Sequence, residues 1–406
     1  MSDEHLKIAN SWKKFTSVFT VLFTIFTWRQ MTILITDSFL NVSVQYEGNI
    51  VNFGIYYLTT ALFILVSPVL LKKLKRNFYI SVWATLATIS SLVLLFGGSN
   101  VKTEFFLFFA GASVGVGIPA CLTYFADNTH TENRGRVGAV IFFFITLTFV
   151  VLAVMLDVLK IQNFIYLSFF WAIISLILTI FLRLKKQDTK EIKIYLKSII
   201  SNKKFLLYFI PWLMFCFIDA FEAPILQVFI KQNFGNDFRD FLLLILTSIT
   251  TFAILVTGFL IDYYGRKRIL LYGFILLGIA HGVVGVASQS VFSWYLYALV
   301  DGFALGVFIV TFVFTIWGDL SSAENREEYY ALGTIPFFVV QYIQKLIAPY
   351  ILKIPISAAF SFASFFLFLA VWPLFNASET LPERKVRERE LRKYIEKAKK
   401  IREKYS

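Results

Sequence analysis

Long apolar runs separated by short polar stretches dominate the chain. They lie near 15–36, 50–71, 78–97, 103–126, 137–158 and 161–182, and again near 205–230, 241–261, 269–288, 292–318, 331–352 and 354–375. Each approaches the roughly 20 residues that a helix needs to cross a bilayer. The pattern predicts an all-α membrane protein of twelve transmembrane helices, six, a polar break, and six more. Residues 1–182 form an N-terminal bundle, 183–204 a basic cytoplasmic linker, 205–378 a C-terminal bundle, and 379–406 a charged cytoplasmic tail. Ile192, Leu196 and Ile199 recur at helical spacing among the linker lysines, which suits the inner leaflet surface. In the tail Leu391, Ile395 and Ala398 keep the same spacing, and Glu388 and Arg392 form a favourable i,i+4 pair, so a tail helix is expected.

Composition makes lipid the solvent. Of 406 residues 58% are hydrophobic and 16% charged, against about 25% charged in soluble domains. The formal charge of +13 sits in loops and tail rather than on a groove-binding module, so no nucleic-acid partner is expected. Cys121 and Cys216 stand alone inside apolar runs, which gives neither a disulfide framework nor metal spacing. Met1–Asn10 is polar without a cleavable signal pattern, so the first run is expected to stay. With the N-terminus inside, the basic residues Lys72, Lys73, Arg76, Arg134 and Arg136, the triplet Arg266–Arg268, the linker and the tail all fall in the cytoplasm. Only Lys102, Lys160, Lys231, Arg239 and Lys353 fall outside. That bias places both termini in the cytoplasm of a multi-pass cell-membrane protein.

The two halves share a pattern. Asp127 and Arg134 follow the fourth run, Asp319 and Arg326 the tenth, each pair seven residues apart, with Glu-Asn-Arg in both. The copies are 192 residues apart. Between the eighth and ninth runs stands Gly258-Phe-Leu-Ile-Asp262-Tyr-Tyr-Gly265-Arg266-Lys267-Arg268. Shifted back by 192 residues it meets Lys72-Lys-Leu-Lys-Arg76, where only basic character survives.

Together these stretches resemble the loop signatures of the major facilitator superfamily, and with Glu379-Thr380 after the last run they resemble its sugar-porter and organic-acid-porter branches. The resemblance implies the major facilitator fold, two pseudo-symmetric six-helix bundles. It also implies a cytoplasmic gating network of Gly258, Asp262, Gly265, Arg266, Lys267, Asp127, Arg134, Asp319 and Arg326. In that carry-over Asp262, Arg266 and Lys267 engage Asp319 and Arg326 within the C-terminal half, while Asp127 and Arg134 act within the N-terminal half. The sugar-binding side chains of the branch do not match: span seven carries Asp219 and Glu222, and Phe142 stands where the branch has a glutamine.

Ionisable groups at mid-bilayer cost about 2.5–3.5 kcal/mol on insertion scales and rarely sit there idle. Arg29, Asp219, Glu222, Asp301 and Lys345 are such groups. Gln341, Gln344 and Lys345 share a helix face. The 192-residue shift carries Arg29 to Phe221, so Arg29 is expected to face the Asp219/Glu222 pair across a central cavity. These seven residues are the candidates for binding substrate and proton. His281 is flanked by Gly278 and Gly282, which suggests helix packing rather than a proton relay. His5 and His130 are scattered, and no catalytic constellation is present, so an enzyme is not expected. The expected function is alternating-access transport of a small polar organic solute, an organic acid or a sugar, by proton symport, with no cofactor beyond the proton gradient. The protein is expected to act as a monomer with a small-molecule substrate in the bilayer. Efflux of drugs or metabolites, or uncoupled sugar uniport, are the alternatives.

Overall fold

The computed structural model describes residues 2–41, 46–73, 76–96, 101–182 and 195–381, with Leu391 and Ile395. Every regular element among them is helical, as expected where no water can satisfy backbone groups. The N-terminal half holds α1 (Ser2–Asn41), α2 (Tyr46–Lys73), α3 (Arg76–Phe96), α4 (Val101–Asn128) and α5 (Arg134–Phe181). The short α6 (Leu196–Ile200) leads into α7 (Lys203–Phe234), α8 (Asn236–Tyr264), α9 (Arg266–Val286) and α10 (Val291–Phe308). A π-helical stretch, Ile309–Ile316, carries α10 into α11 (Trp317–Leu320), followed by α12 (Arg326–Ile351) and α13 (Ile356–Asn376).

Among the described residues, ten helices are long and apolar enough to cross a membrane, and Ile80–Phe96 is a shorter apolar one. The α5 helix has 48 residues, or about 72 Å at 1.5 Å per residue, more than twice the ~30 Å hydrocarbon core. It breaks at Lys160, where φ is 61° and ψ is 162°. The predicted runs 137–158 and 161–182 fall on either side of that break.

Glycines set the helix contacts. A Cβ at Gly111 on α4 would lie 2.7 Å from the Tyr56 carbonyl oxygen on α2, and one at Gly302 on α10 would lie 2.9 Å from the Leu246 carbonyl oxygen on α8. The same close approach thus recurs in both halves. The halves meet along α2 with α12 and along α5 with α8. Large apolar side chains such as Phe144, Val154, Phe170, Phe252 and Trp372 point outward and are exposed, a surface suited to lipid rather than water.

Of the expected linker, 183–194 lies outside the described residues, and α6 with buried Ile199 occupies part of the remainder. Of the expected tail helix, Leu391 and Ile395 have helical backbone. The other tail residues after Leu381 lie outside the described residues.

Candidate functional site

A cavity of about 140 Å³ lies where the halves meet, lined by Phe26, Arg29, Phe142, Trp212, Asp219 and Gln341 among others. The neighbours of Arg29 explain how it comes to face inward. Trp28 Nε1 donates to Ser113 Oγ (2.8 Å), Gln30 Nε2 to the Ile145 carbonyl (2.9 Å), and the Thr32 and Tyr56 hydroxyls are bonded at 2.9 Å. These bonds tie the other sides of α1 to α4, α5 and α2, which leaves Arg29 on the cavity side. Its guanidinium carbon lies 4.8 Å from the Phe337 ring centroid and 5.6 Å from that of Phe338. Such cation–π contacts are worth roughly 0.5–2 kcal/mol.

The expected ion pair across the cavity is not formed. Among the described residues no carboxylate salt-bridges Arg29, and the strongest electrostatic neighbours of Asp219 are Glu222 and His281. The walls are largely aromatic and aliphatic, with Thr334 and Gln341 as the uncharged polar side chains. Trp212 also lines the cavity, but its Nε1 donates to the Gly333 carbonyl at 2.8 Å.

The other candidates disperse. Gln344 is buried and donates from Nε2 to the Ala220 carbonyl at 2.7 Å, pinning α12 to α7. Lys345 lies 4.7 Å from the Phe53 ring centroid on α2 and acts electrostatically on Asp37 of α1, an acid that the sequence reading passed over. Glu222 and Asp301, expected at the cavity, lie inside the C-terminal half instead. Three residues along a helix is about 60° short of a full turn, and this carries Glu222 past the cavity edge that Asp219 faces.

Glu222 is met there by His281, which had been read as a packing residue. His281 Nε2 contacts Glu222 Oε2, and Nδ1 is 2.8 Å from the Leu277 carbonyl. Tyr297 donates its hydroxyl hydrogen to Glu222 Oε1 at 2.7 Å, and Asp301, one turn further along the same helix, is an electrostatic neighbour of Glu222 and His281. The His281 ring stacks on Phe360 with centroids 5.2 Å apart. All four polar residues are buried. The flanking glycines do bring α9 against α13: a Cβ at Gly278 would lie 3.2 Å from Phe368.

At the end of the bundle where α4, α8 and α11 finish, a third group of charges joins the two halves. Arg134 pairs with Asp319, and Arg326 with Asp127. Each acid–arginine repeat is therefore satisfied by the opposite half, not within its own half as expected. Asp262 crosses too. Its Oδ1 accepts from the Gly135 N–H (3.0 Å) and its Oδ2 from the Arg136 N–H (2.9 Å), placing a carboxylate on the N-terminus of α5, where the helix dipole favours it. Arg136, counted in the sequence only as a cytoplasmic charge, adds a contact from Nε at 3.3 Å.

Arg266 is wholly buried and is the hub. It reaches Asp319 Oδ2 through Nε and Asp262 Oδ1 through Nη2, both at 3.1 Å, the Ile261 carbonyl at 3.0 Å, and the Thr131 carbonyl of the other half. Its pairing with Asp319 is as the sequence suggested. Gly265 has φ 104°, a left-handed conformation that glycine adopts without strain. After α13, the Glu379 carboxylate accepts from the Arg266 N–H (2.9 Å) and the Lys267 N–H (3.1 Å) at the start of α9. Lys267 Nζ donates to the Phe375 carbonyl at 2.7 Å, and Thr380 Oγ1 to Asp319 at 3.3 Å. A Cβ at Gly258 would lie 2.9 Å from the Gly135 carbonyl oxygen, so α5 and α8 are in near backbone contact beside these charges.

Residues 213–404 match the sequence family described as the Major Facilitator Superfamily. No curated protein sequence matches the chain. Among solved structures, the human organic anion transporter MFSD10 (TETRAN) is similar with a TM-score of 0.70 at 14% identity, covering 90% of this chain and 99% of that one. The proton:xylose symporter XylE, bound to 6-bromo-6-deoxy-D-glucose, has a TM-score of 0.69 at 14% identity and covers 90% and 96%. The transporter FucP, in its outward conformation, has a TM-score of 0.70 at 10% identity and covers 90% and 98%. At these identities the likeness is one of fold.

Proposed function

We propose that this chain, a transporter of the major facilitator superfamily, carries a small organic anion across the cell membrane by alternating access, in symport with protons. The observation that carries the reading is Arg29: a guanidinium on the cavity wall, held among aromatic rings with no acid against it among the described residues. A half-buried cation in such surroundings gains from an arriving counter-charge, and a solute carboxylate supplies one. The remaining walls suit an apolar body. A sugar would bury a hydroxyl on nearly every carbon, each needing a partner, and the cavity offers few.

Counting α5 as two passes and adding Ile80–Phe96 to the nine other long helices gives twelve spans. The Lys and Arg bias puts both termini, and with them the ionic group around Arg266, in the cytoplasm. There the group would hold the inner side shut and part when the halves rock. The chain works in this reading as a monomer in the plasma membrane, with no cofactor besides the proton gradient.

The test is uptake into proteoliposomes under an inward acid gradient, with labelled benzoate as the anionic probe and labelled xylose as the sugar. Benzoate is expected to accumulate, and Arg29→Ala to abolish accumulation. Xylose accumulating in place of benzoate would replace the anion reading with the sugar reading. Benzoate accumulating equally without the gradient would remove proton coupling, and unchanged benzoate uptake in Arg29→Ala would remove the site.

A further inference from the structure

The row of side chains behind the cavity has no place in solute binding. Glu222 comes from α7, His281 from α9, and Tyr297 and Asp301 from α10. The groups acting most strongly on each are the others of the row and Asp219. From α13 the row meets the apolar Phe360.

Hydrogens in the row can be counted. The Leu277 carbonyl can only accept, so the hydrogen on that contact belongs to His281 Nδ1. Two contacts follow in line: His281 Nε2 with Glu222 Oε2, and Glu222 Oε1 with the Tyr297 oxygen. Each needs one hydrogen between its atoms. A neutral imidazole and a phenol bring one apiece, and ionised carboxylates bring none. With Nδ1 supplied and Tyr297 donating to Glu222, the contact between His281 and Glu222 still lacks a hydrogen.

Charge asks for a second. With His281 neutral and both acids ionised, the row would carry two negative charges in a region walled by apolar side chains, where even one charge is costly. Two added protons leave it with no net charge: an imidazolium against a carboxylate and one neutral carboxyl, or two neutral carboxyls. Hydrogen-bond geometry requires the first proton, between His281 and Glu222, and electrostatics the second.

We propose that the Glu222–His281–Tyr297–Asp301 row is a proton-binding site, loaded and emptied during transport and read in the cavity through Asp219. Asp219 lies one turn before Glu222 on α7 and is an electrostatic neighbour of Glu222, His281 and Asp301. A proton leaving the row restores a negative charge beside Asp219, and so changes the charge that the cavity presents to an anion. Loading takes protons from water onto the carboxyl and imidazole groups, and emptying returns them to water; no electrons move. The coupling to solute rests on the transport reading above, but the proton site does not.

Two measurements on the full chain in lipid nanodiscs, without solute, test it. Infrared difference spectra between about pH 9 and about pH 5, a window spanning carboxyl and imidazole titration, should show a neutral-carboxyl band that persists at neutral pH. Glu222→Gln and Asp301→Asn should each remove part of it. Proton uptake over the same window, read with a pH indicator, should fall by about two protons per chain in the double variant. The milder Tyr297→Phe, which keeps ring volume, should shift the band if either acid variant fails to fold. No neutral-carboxyl band at neutral pH in the unaltered chain, or a band unmoved by all three substitutions, would overturn the assignment. Equal uptake in the unaltered and double-variant chains would do so too, because a row that never exchanges protons is not a loading site. A chain that moves no benzoate can still pass these tests, so the two readings fail separately.

Discussion

Among the described residues, two groups of ionisable side chains away from the cavity are built on opposite plans. The group around Arg266 joins the two halves and is rich in arginine; the row around His281 lies within one half and has none. A guanidinium does not give up its proton at any physiological pH. The arginines of the Arg134–Asp319 and Arg326–Asp127 pairs therefore keep their positive charge whether the halves touch or part. Carboxyls and an imidazole can change charge while staying in place. In the transport reading proposed above, the contrast separates a contact that can be broken from a charge that can be altered.

The sharpest way to break the contrast is Arg266→Met. Removing one partner of a buried ionic group costs about 3–5 kcal/mol, and here Asp319 and Asp262 would both lose a partner. A large drop in melting temperature in detergent is expected. A change under a few tenths of a kcal/mol would show that the group contributes little to holding the halves together.

Gly258→Val comes next. Its side chain would press on backbone atoms of Gly135 and Arg136, which cannot rotate away, so α5 and α8 must part at about 1–3 kcal/mol. Cys216 lines the cavity and serves as a built-in reporter. Its maleimide labelling should speed up when the halves separate, and an unchanged rate would mean that this contact does not restrict access.

Tyr297→Phe should lower stability by only about 1 kcal/mol, the usual worth of one hydrogen bond, seen as a small melting shift. A loss as large as that of Arg266→Met would erase the distinction between the two groups. Arg29→Ala should have the smallest effect on stability, below about 1 kcal/mol, because the side chain gives up cation–π contact and no ion pair. It should remove any protection of Cys216 by benzoate. Persistent protection in that variant would place the anion elsewhere.

Much of the helical layout was legible because hydrophobic length and turn chemistry are local properties. The break at Lys160 fell between two runs, and the Asp127/Arg134 and Asp319/Arg326 repeats marked helix ends. Partner choice was not legible. The 192-residue shift relates one half to the other but says nothing of how they dock, so pairing within halves and pairing across them look alike in the sequence. The cavity edge was equally hidden. Asp219 and Glu222 share a face by spacing, yet the edge runs between them. His281 was misread because flanking glycines gave a sufficient reason for its position. The signal available was that Glu222 and Asp301 had no basic residue within one turn on their own helices. Arg136 and Asp37 were overlooked because single charges near helix ends are common.

The π-helical stretch Ile309–Ile316 sets the direction of everything after it. It places Ile309 and Val313 on the cavity wall and, within the next turn, delivers Asp319 to Arg134 and Arg266. Deleting one residue there would swing Asp319 by about 100° around the axis, pointing it away from both arginines. The wider coil acts as an indexing step: it fixes the phase between the part of the helix that lines the cavity and the part that ties the two halves together.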